Sequence, residues 1–180
     1  AKTGVRVIIV DEQPEMGGAF HYDLGATVDG QNGFEWAQAT VAKLKAMANV
    51  TVLTRTTAFG YHNHNYVALV ERVTDHISNP GKALPRERLW QVRAKRVIIA
   101  SGAIERHMVF ANNDRPGIML ASAGRTYLNH FGVAVGAKVG VYTAHDSAYE
   151  AAIDLKKAGV SVPVIVDARE KPGEKVLAEA

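Results

Sequence analysis

The chain has 180 residues, 47% of them hydrophobic and 22% charged, with a net charge of +3, which is enough apolar material for one domain plus the start of another. Cysteine is absent, excluding disulfide staples, thiolate metal sites and a redox dithiol, and fitting a reducing, cytoplasmic compartment. Acids and bases are interspersed, leaving no electrostatic footprint for nucleic acid, and no apolar run reaches the roughly 18 residues that span a bilayer.

Residues 5–10 are rich in valine and isoleucine and read as a strand buried on both faces. Asp11 and Glu12 stand at its carboxyl end, followed by Gln13-Pro14-Glu15-Met16-Gly17-Gly18. In a doubly wound α/β sheet, ligands bind outside the carboxyl ends of the strands, and an acid there grips the ribose of a dinucleotide. Two carboxylates would repel a 2′-phosphate, so the expected cofactor is NAD or FAD and not NADP. The glycine-rich turn for the pyrophosphate belongs about 20 residues before such an acid, whereas only ten residues precede Asp11. The chain is therefore expected to be part of a longer protein, entered one strand and most of one helix late.

Residues 20–33 form a glycine-containing loop, and residues 34–47 a surface helix whose apolar stripe is Trp36, Val41, Leu44 and Met47. Residues 50–54 are the next strand, completing a βαβ crossover. Residues 56–60 read as a bend. Strands over 66–73 and 89–94, joined by a long polar tip, predict an antiparallel β-meander inserted at about 60–95. Residues 96–103 return to the buried parallel sheet, and the small residues around Gly102 allow close backbone approach to a ligand. A helix over 118–131 leads to a second α/β start. It comprises a strand over 138–142, a turn over 143–145, Asp146 or Ser147 as N-cap, a helix over 148–158, and a strand over 162–166 ending in Asp167. The charged tail from Glu170 is broken at Pro172-Gly173. The fold class is α/β: a partial Rossmann-like, FAD/NAD-binding three-layer domain over 1–117 with the meander, then a linking helix and the start of a second α/β unit over 118–180.

Other chemistry-bearing groupings favour plain structural roles. His62 and His64 sit in a hairpin turn with no third ligand of matched spacing, so no metal site is expected. Glu105-Arg106-His107 reads as a local ion pair beside a solvated histidine rather than an acid/base trio. Thr143-Ala144-His145-Asp146-Ser147 lacks glycine and reads as a capped turn. No catalytic residue is assigned.

Three runs then carry a resemblance: residues 10–18; residues 53–60; and Ala100-Ser101-Gly102-Ala103-Ile104-Glu105-Arg106 with residues 110–121. They resemble the alpha subunits of bacterial heterotetrameric sarcosine oxidases, and the likeness runs in register over nearly the whole chain. Ser101 stands where that motif is more often threonine. The resemblance implies a longer, NAD-holding subunit of an enzyme that demethylates sarcosine to glycine with tetrahydrofolate and O2, releasing H2O2. It implies beta, gamma and delta partner subunits, with FAD in beta and FMN between alpha and beta. It places Asp11, Glu12 and Gln13 around the adenosine ribose, Ala19 beside the dinucleotide, and the backbone of Ala58 at the adenine. Alpha subunits of opine oxidases and hydrogen cyanide synthase share the Gly-Ala-x-Glu-Arg and Pro-Gly elements, and a ligand-free structural module is a third possibility.

Overall fold

The computed structural model describes residues 1–171 and 173. They divide into two compact units, Ala1–Gly18 with Ala26–Ser101, and Ala19–Gly25 with the described residues from Gly102 onward. Both are α/β with small sheets. The break expected at Pro172 lies outside the described residues.

The first unit contains β1 (Val7–Val10), a short hairpin of β2 (Thr27–Val28) and β3 (Gln31–Asn32), α1 (Gly33–Lys45), β4 (Val50–Leu53), β5 (Thr56–His62), β6 (Tyr66–Arg72) and β7 (Glu87–Arg93). β1 pairs in parallel with β4, Val7 opposite Val50 and Val10 opposite Leu53, and α1 makes the crossover. The Asn32 side chain caps α1 by accepting from the N–H groups of Phe34 and Glu35 at 3.0 and 3.2 Å. Glu35 in the first turn and Lys43 and Lys45 in the last match the helix dipole. The buried face differs from the expected stripe. It runs through Gly33 and Ala37 to half-buried Val41 and Leu44, while Trp36, about 100° around the helix from Ala37, stands exposed.

β5, β6 and β7 form the antiparallel meander in that order. The expected bend at residues 56–60 is in fact the first half of β5. Its extended form is set by pairing with β6, and a bulge between Ala58 and Gly60 absorbs the irregularity. Leu69, 2% exposed, anchors this sheet, with Ala68, Leu53 and Thr56 also buried.

Two expectations of full burial fail. Ile8 on β1 is 41% exposed because it and its register partner Thr51 share a sheet face that the described residues leave uncovered. Residues 96–103 join no ladder, and Ile98 is 89% exposed. An apolar, β-branched run shows what a strand needs around it; two strands and one helix do not supply that cover.

The second unit comprises α2 (Ala121–Asn129), β8 (Lys138–Thr143), α3 (Ser147–Lys157) and β9 (Ser161–Asp167). β8 and β9 are parallel, Val141 opposite Ile165, with α3 as their crossover. Ala148, Ala151, Ala152 and Leu155 bury one face of α3. Gly159, at φ +86°, closes that helix, a left-handed position that suits glycine, and Val160 N–H returns to Leu155 C=O at 3.0 Å. Among the described residues no helix is long and apolar enough to cross a membrane.

Candidate functional site

The carboxyl end of β1 is held almost wholly by main-chain bonds. Asp11 N–H donates to Leu53 C=O at 2.9 Å, carrying the β1–β4 ladder one step past the strand. Asp11 C=O accepts from Thr56 N–H at 2.9 Å, where β5 begins, and Gln13 C=O accepts from Arg55 N–H at 2.9 Å. Arg55 reaches this pairing at φ +52°, an uncommon conformation for a side-chain-bearing residue. From β6, the Arg72 guanidinium donates to Glu12 C=O at 2.7 Å. Residues 11–13 are thereby fastened to the β4–β5 corner and to β6.

Within that frame the Asp11 carboxylate turns back, Oδ1 accepting Gln13 N–H at 2.9 Å. This Asx turn uses one of the roughly four acceptor positions of a carboxylate. Asp11 is half-buried, Glu12 and Gln13 are exposed, and neither acid forms an ion pair among the described residues. The result is one carboxylate held by its own turn and a second exposed beside it at a parallel strand end, groups able to accept charge-assisted hydrogen bonds from vicinal hydroxyls.

Ala58 lies two residues beyond Thr56 on β5, exposed and opposite Leu69 at the bulge. Asp11, Glu12, Gln13 and Ala58 thus share one end of the first unit. Ala19 and Gly102 belong to the second. Gly102 takes φ +70° with open space where a side chain would start, so its backbone conformation, and not crowding, favours glycine. Gly18 adopts φ +53° at the turn that ends the Pro-x-x-Gly-Gly run.

The other groupings resolve into structural roles. His62 ends β5 with its ring 5.6 Å from that of Tyr66, and no group of three metal-ligating side chains exists among the described residues. The expected local ion pair at Glu105 is replaced by a helix contact, because Glu105 Oε2 accepts Ser122 N–H at 2.7 Å in the first turn of α2. That is where a carboxylate meets unsatisfied donors. Asp146 is the N-cap residue of α3, but its side chain does not cap; it pairs with Arg169 at 2.6 Å.

Sequence reasoning passed over Arg125. It is 9% exposed on α2 and reaches three acids, Asp154 at 2.6 Å, Glu150 at 2.7 Å and Asp23 at 2.9 Å. Burial alone would lower its pKa, yet the Asp154 hydrogen bond and the three negative charges raise it. Asn129 adds bonds to Asp154 and to Tyr22 C=O. The visible signal was spacing: Glu150 and Asp154 lie four apart on one helix, Arg125 and Asn129 four apart on another. Near the end of β9, Asp167 receives hydrogen bonds from Arg169 and Tyr149. The Arg169 bonds, backed by Tyr149, hold its carboxyl well below the usual range against the opposing effect of desolvation.

No family model matches the chain. It is 46% identical to the alpha subunit of sarcosine oxidase from Corynebacterium sp. (strain P-1) over 94% of its residues, and 46% identical to the Rhizobium meliloti (strain 1021) protein of the same name over 96%. It spans only 18% and 17% of their lengths. An opine oxidase polypeptide of Agrobacterium tumefaciens (strain Ach5) is similar at 24% identity over 94% of the chain and 33% of that protein. Among solved structures, L-proline dehydrogenase from P. horikoshii matches with a TM-score of 0.70 at 24% identity, over 94% of this chain and 32% of that one, a likeness of fold.

Proposed function

From a chain that is similar over nearly all its length to a stretch of sarcosine oxidase alpha subunits, we propose a dinucleotide-binding segment of an oxidoreductase. The observation that carries it is the Asp11 carboxylate, fixed at the end of a parallel strand and in no ion pair among the described residues. Asp11 and Glu12 accept the adenosine ribose hydroxyls, Gln13 lies beside them, and the backbone of Ala58 faces the adenine. The resemblance assigns Ala19 to the dinucleotide, and the small residues around Gly102 are read as allowing close backbone approach to a ligand. The paired negative charge selects NAD over its 2′-phosphorylated form. When bound, NAD supplies a hydride-accepting nicotinamide; the residues named here do no chemistry and serve to hold and orient the adenosine end.

The enzyme so served oxidatively demethylates sarcosine to glycine with tetrahydrofolate and O2, giving H2O2. FAD and FMN are carried mainly outside these residues, and beta, gamma and delta subunits complete the assembly. The opine oxidase likeness makes an opine the alternative substrate. Assay of the full complex with sarcosine, opines and glycine separates these from each other and from a cyanide-forming enzyme. A ligand-free structural module is the second reading, favoured by the exposure of Ile98 and Ile99 at 89% and 75%.

The test is calorimetric titration of NAD and NADP into this chain and into one extended about 30 residues upstream, where a glycine-rich phosphate turn would lie. Asp11→Asn keeps an oxygen for the Gln13 turn and removes the charge. It is expected to cost about 1.5–3 kcal/mol of NAD affinity in whichever chain binds, the range for a hydrogen bond to a charged group. Unchanged affinity in Asp11→Asn refutes the assignment, and binding by neither wild-type chain favours the ligand-free module.

A further inference from the structure

Among the described residues β7 is bonded to β6 and to nothing on its other side. The bonds Ala94 N–H to Asn65 C=O and Val73 N–H to Arg86 C=O bracket its ladder. Bonded pairs alternate along an antiparallel ladder, so Arg88, Trp90 and Val92 bond inward. Glu87, Leu89, Gln91 and Arg93 therefore turn their N–H and C=O groups outward. The register runs unbroken from Arg72–Glu87 to Tyr66–Arg93, with no proline, glycine or bulge on β7. An open edge of this kind is a template for another strand.

The edge is also strongly charged. Residues 86–96 hold Arg86, Arg88, Arg93, Lys95 and Arg96 against a single acid, Glu87, so this stretch alone exceeds the chain's net charge of +3. Among the described residues only Arg88 of these is paired, its Nη1 2.9 Å from Glu71 Oε2 and its guanidinium 5.8 Å from the Trp90 ring centre. Arg86, Arg93, Lys95 and Arg96 form no ion pair among the described residues. Leu89, 60% exposed, adds an apolar contact between the charges. The sign of the charge decides the occupant. A second copy would bring two stretches of like net charge together, with Glu87–Arg93 the one complementary pair of the centred register, whereas an acidic strand gains attraction along its length.

We infer that the outer edge of β7 is a docking site for an acidic, extended segment of a partner polypeptide, added as a fourth strand to the meander. Main-chain bonds to Leu89, Gln91 and Arg93 supply affinity, and the unpaired bases supply the choice of partner.

The probe is a fluorescein-labelled heptapeptide of alternating glutamate and valine, titrated into the 180-residue chain. Saturable binding that weakens as salt rises is expected, with amide exchange slowed at Leu89, Gln91 and Arg93. Gln91→Pro removes one outward N–H and leaves the inward ladder intact, a place where edge strands tolerate proline. It is expected to weaken binding about tenfold or more, while the amides of Trp90 and Val92 stay protected. The double variant Arg93→Glu/Lys95→Glu, which does not touch the backbone, is expected to weaken it by a similar factor of about ten. The inference is overturned by no binding, by equal binding of a lysine–valine heptapeptide, by self-association through β7, or by peptide binding that a folded Gln91→Pro variant leaves unchanged. Oligothymidylate that displaces the peptide and ignores Gln91→Pro also overturns it, identifying a polyanion surface instead.

Discussion

The acids of the first unit's strand end and those of the second unit are treated in opposite ways. Asp11 and Glu12 are positioned by main-chain bonds to Leu53, Thr56 and Gln13, and by Arg72 acting on a carbonyl, and neither carboxylate meets a cation among the described residues. In the second unit Asp23, Glu150 and Asp154 close on Arg125, while Asp146 and Asp167 close on Arg169. An acid that meets an arginine inside its own unit is holding structure. One fixed by backbone and left without a cation is available to a ligand. That difference separates Asp11 and Glu12 from the five acids gathered on Arg125 and Arg169, while Glu105, bonded to Ser122 N–H, shows that a backbone contact alone does not mark a site.

Breaking the second unit's centre is the most forceful test of that contrast. Arg125→Met leaves three acids facing one another and is expected to cost about 3–5 kcal/mol, the range for removing one member of a buried ion pair. Glu150, whose side chain is 53% exposed, recovers some solvation, which argues for the lower end. Arg125→Lys is expected to rescue little, because one ammonium cannot bond Asp23, Glu150 and Asp154 from the three separate guanidinium nitrogens now used. Amide exchange checks this directly. Protection should fall in α2 and α3 and persist in β6, and equal loss in both units would dissolve the distinction.

The matching change in the first unit is smaller because it is local. Asn32→Ala removes the acceptor for Phe34 and Glu35 N–H and is expected to cost about 1 kcal/mol, with Asn32→Asp nearly neutral. The shift in urea midpoint, together with exchange at the first turn of α1, measures it. No change would mean that packing of Gly33 and Ala37 alone fixes the helix start.

What could be read in the sequence follows the range of the interactions. β1, α1 and β4 were legible because each carries its own period, apolar runs around an alanine- and lysine-rich helix. The Asp11–Gln13 strand end followed from them. β5 was not, since Thr56 to Gly60 has no alternation of its own and becomes a strand by pairing with β6. Residues 96–103 were read as a buried strand because their composition asks for neighbours on both faces, and composition cannot report whether neighbours are present. Arg125 was invisible for a related reason: its partners come from Asp23 and from α3, more than a hundred and about thirty residues away. Arg72 escaped notice because its contact is a carbonyl, which leaves no trace in the identity of residue 12.

The smallest effect concerns acid. The Asp167 carboxyl is held below its ordinary value chiefly by the Arg169 hydrogen bonds, and that of Asp146 is lowered by the same guanidinium. A depressed folded-state pKa contributes stability that is fully present above the unfolded value, near 4, and is lost as pH falls towards the folded value. Loosening at the β9 end is therefore expected to begin below about pH 4 and to grow with further acidification. Arg169→Met removes the cause, so its stability should change less with pH over that window and should already be lower at pH 7. Exchange at the β9 amides and the environment of Tyr149, which donates to Asp167 at 3.1 Å, report the same event from two sides. Parallel acid dependence in the two proteins would show that Arg169 contributes contact geometry and no linkage. The contrast between spent and available carboxylates would then rest on Arg125 alone.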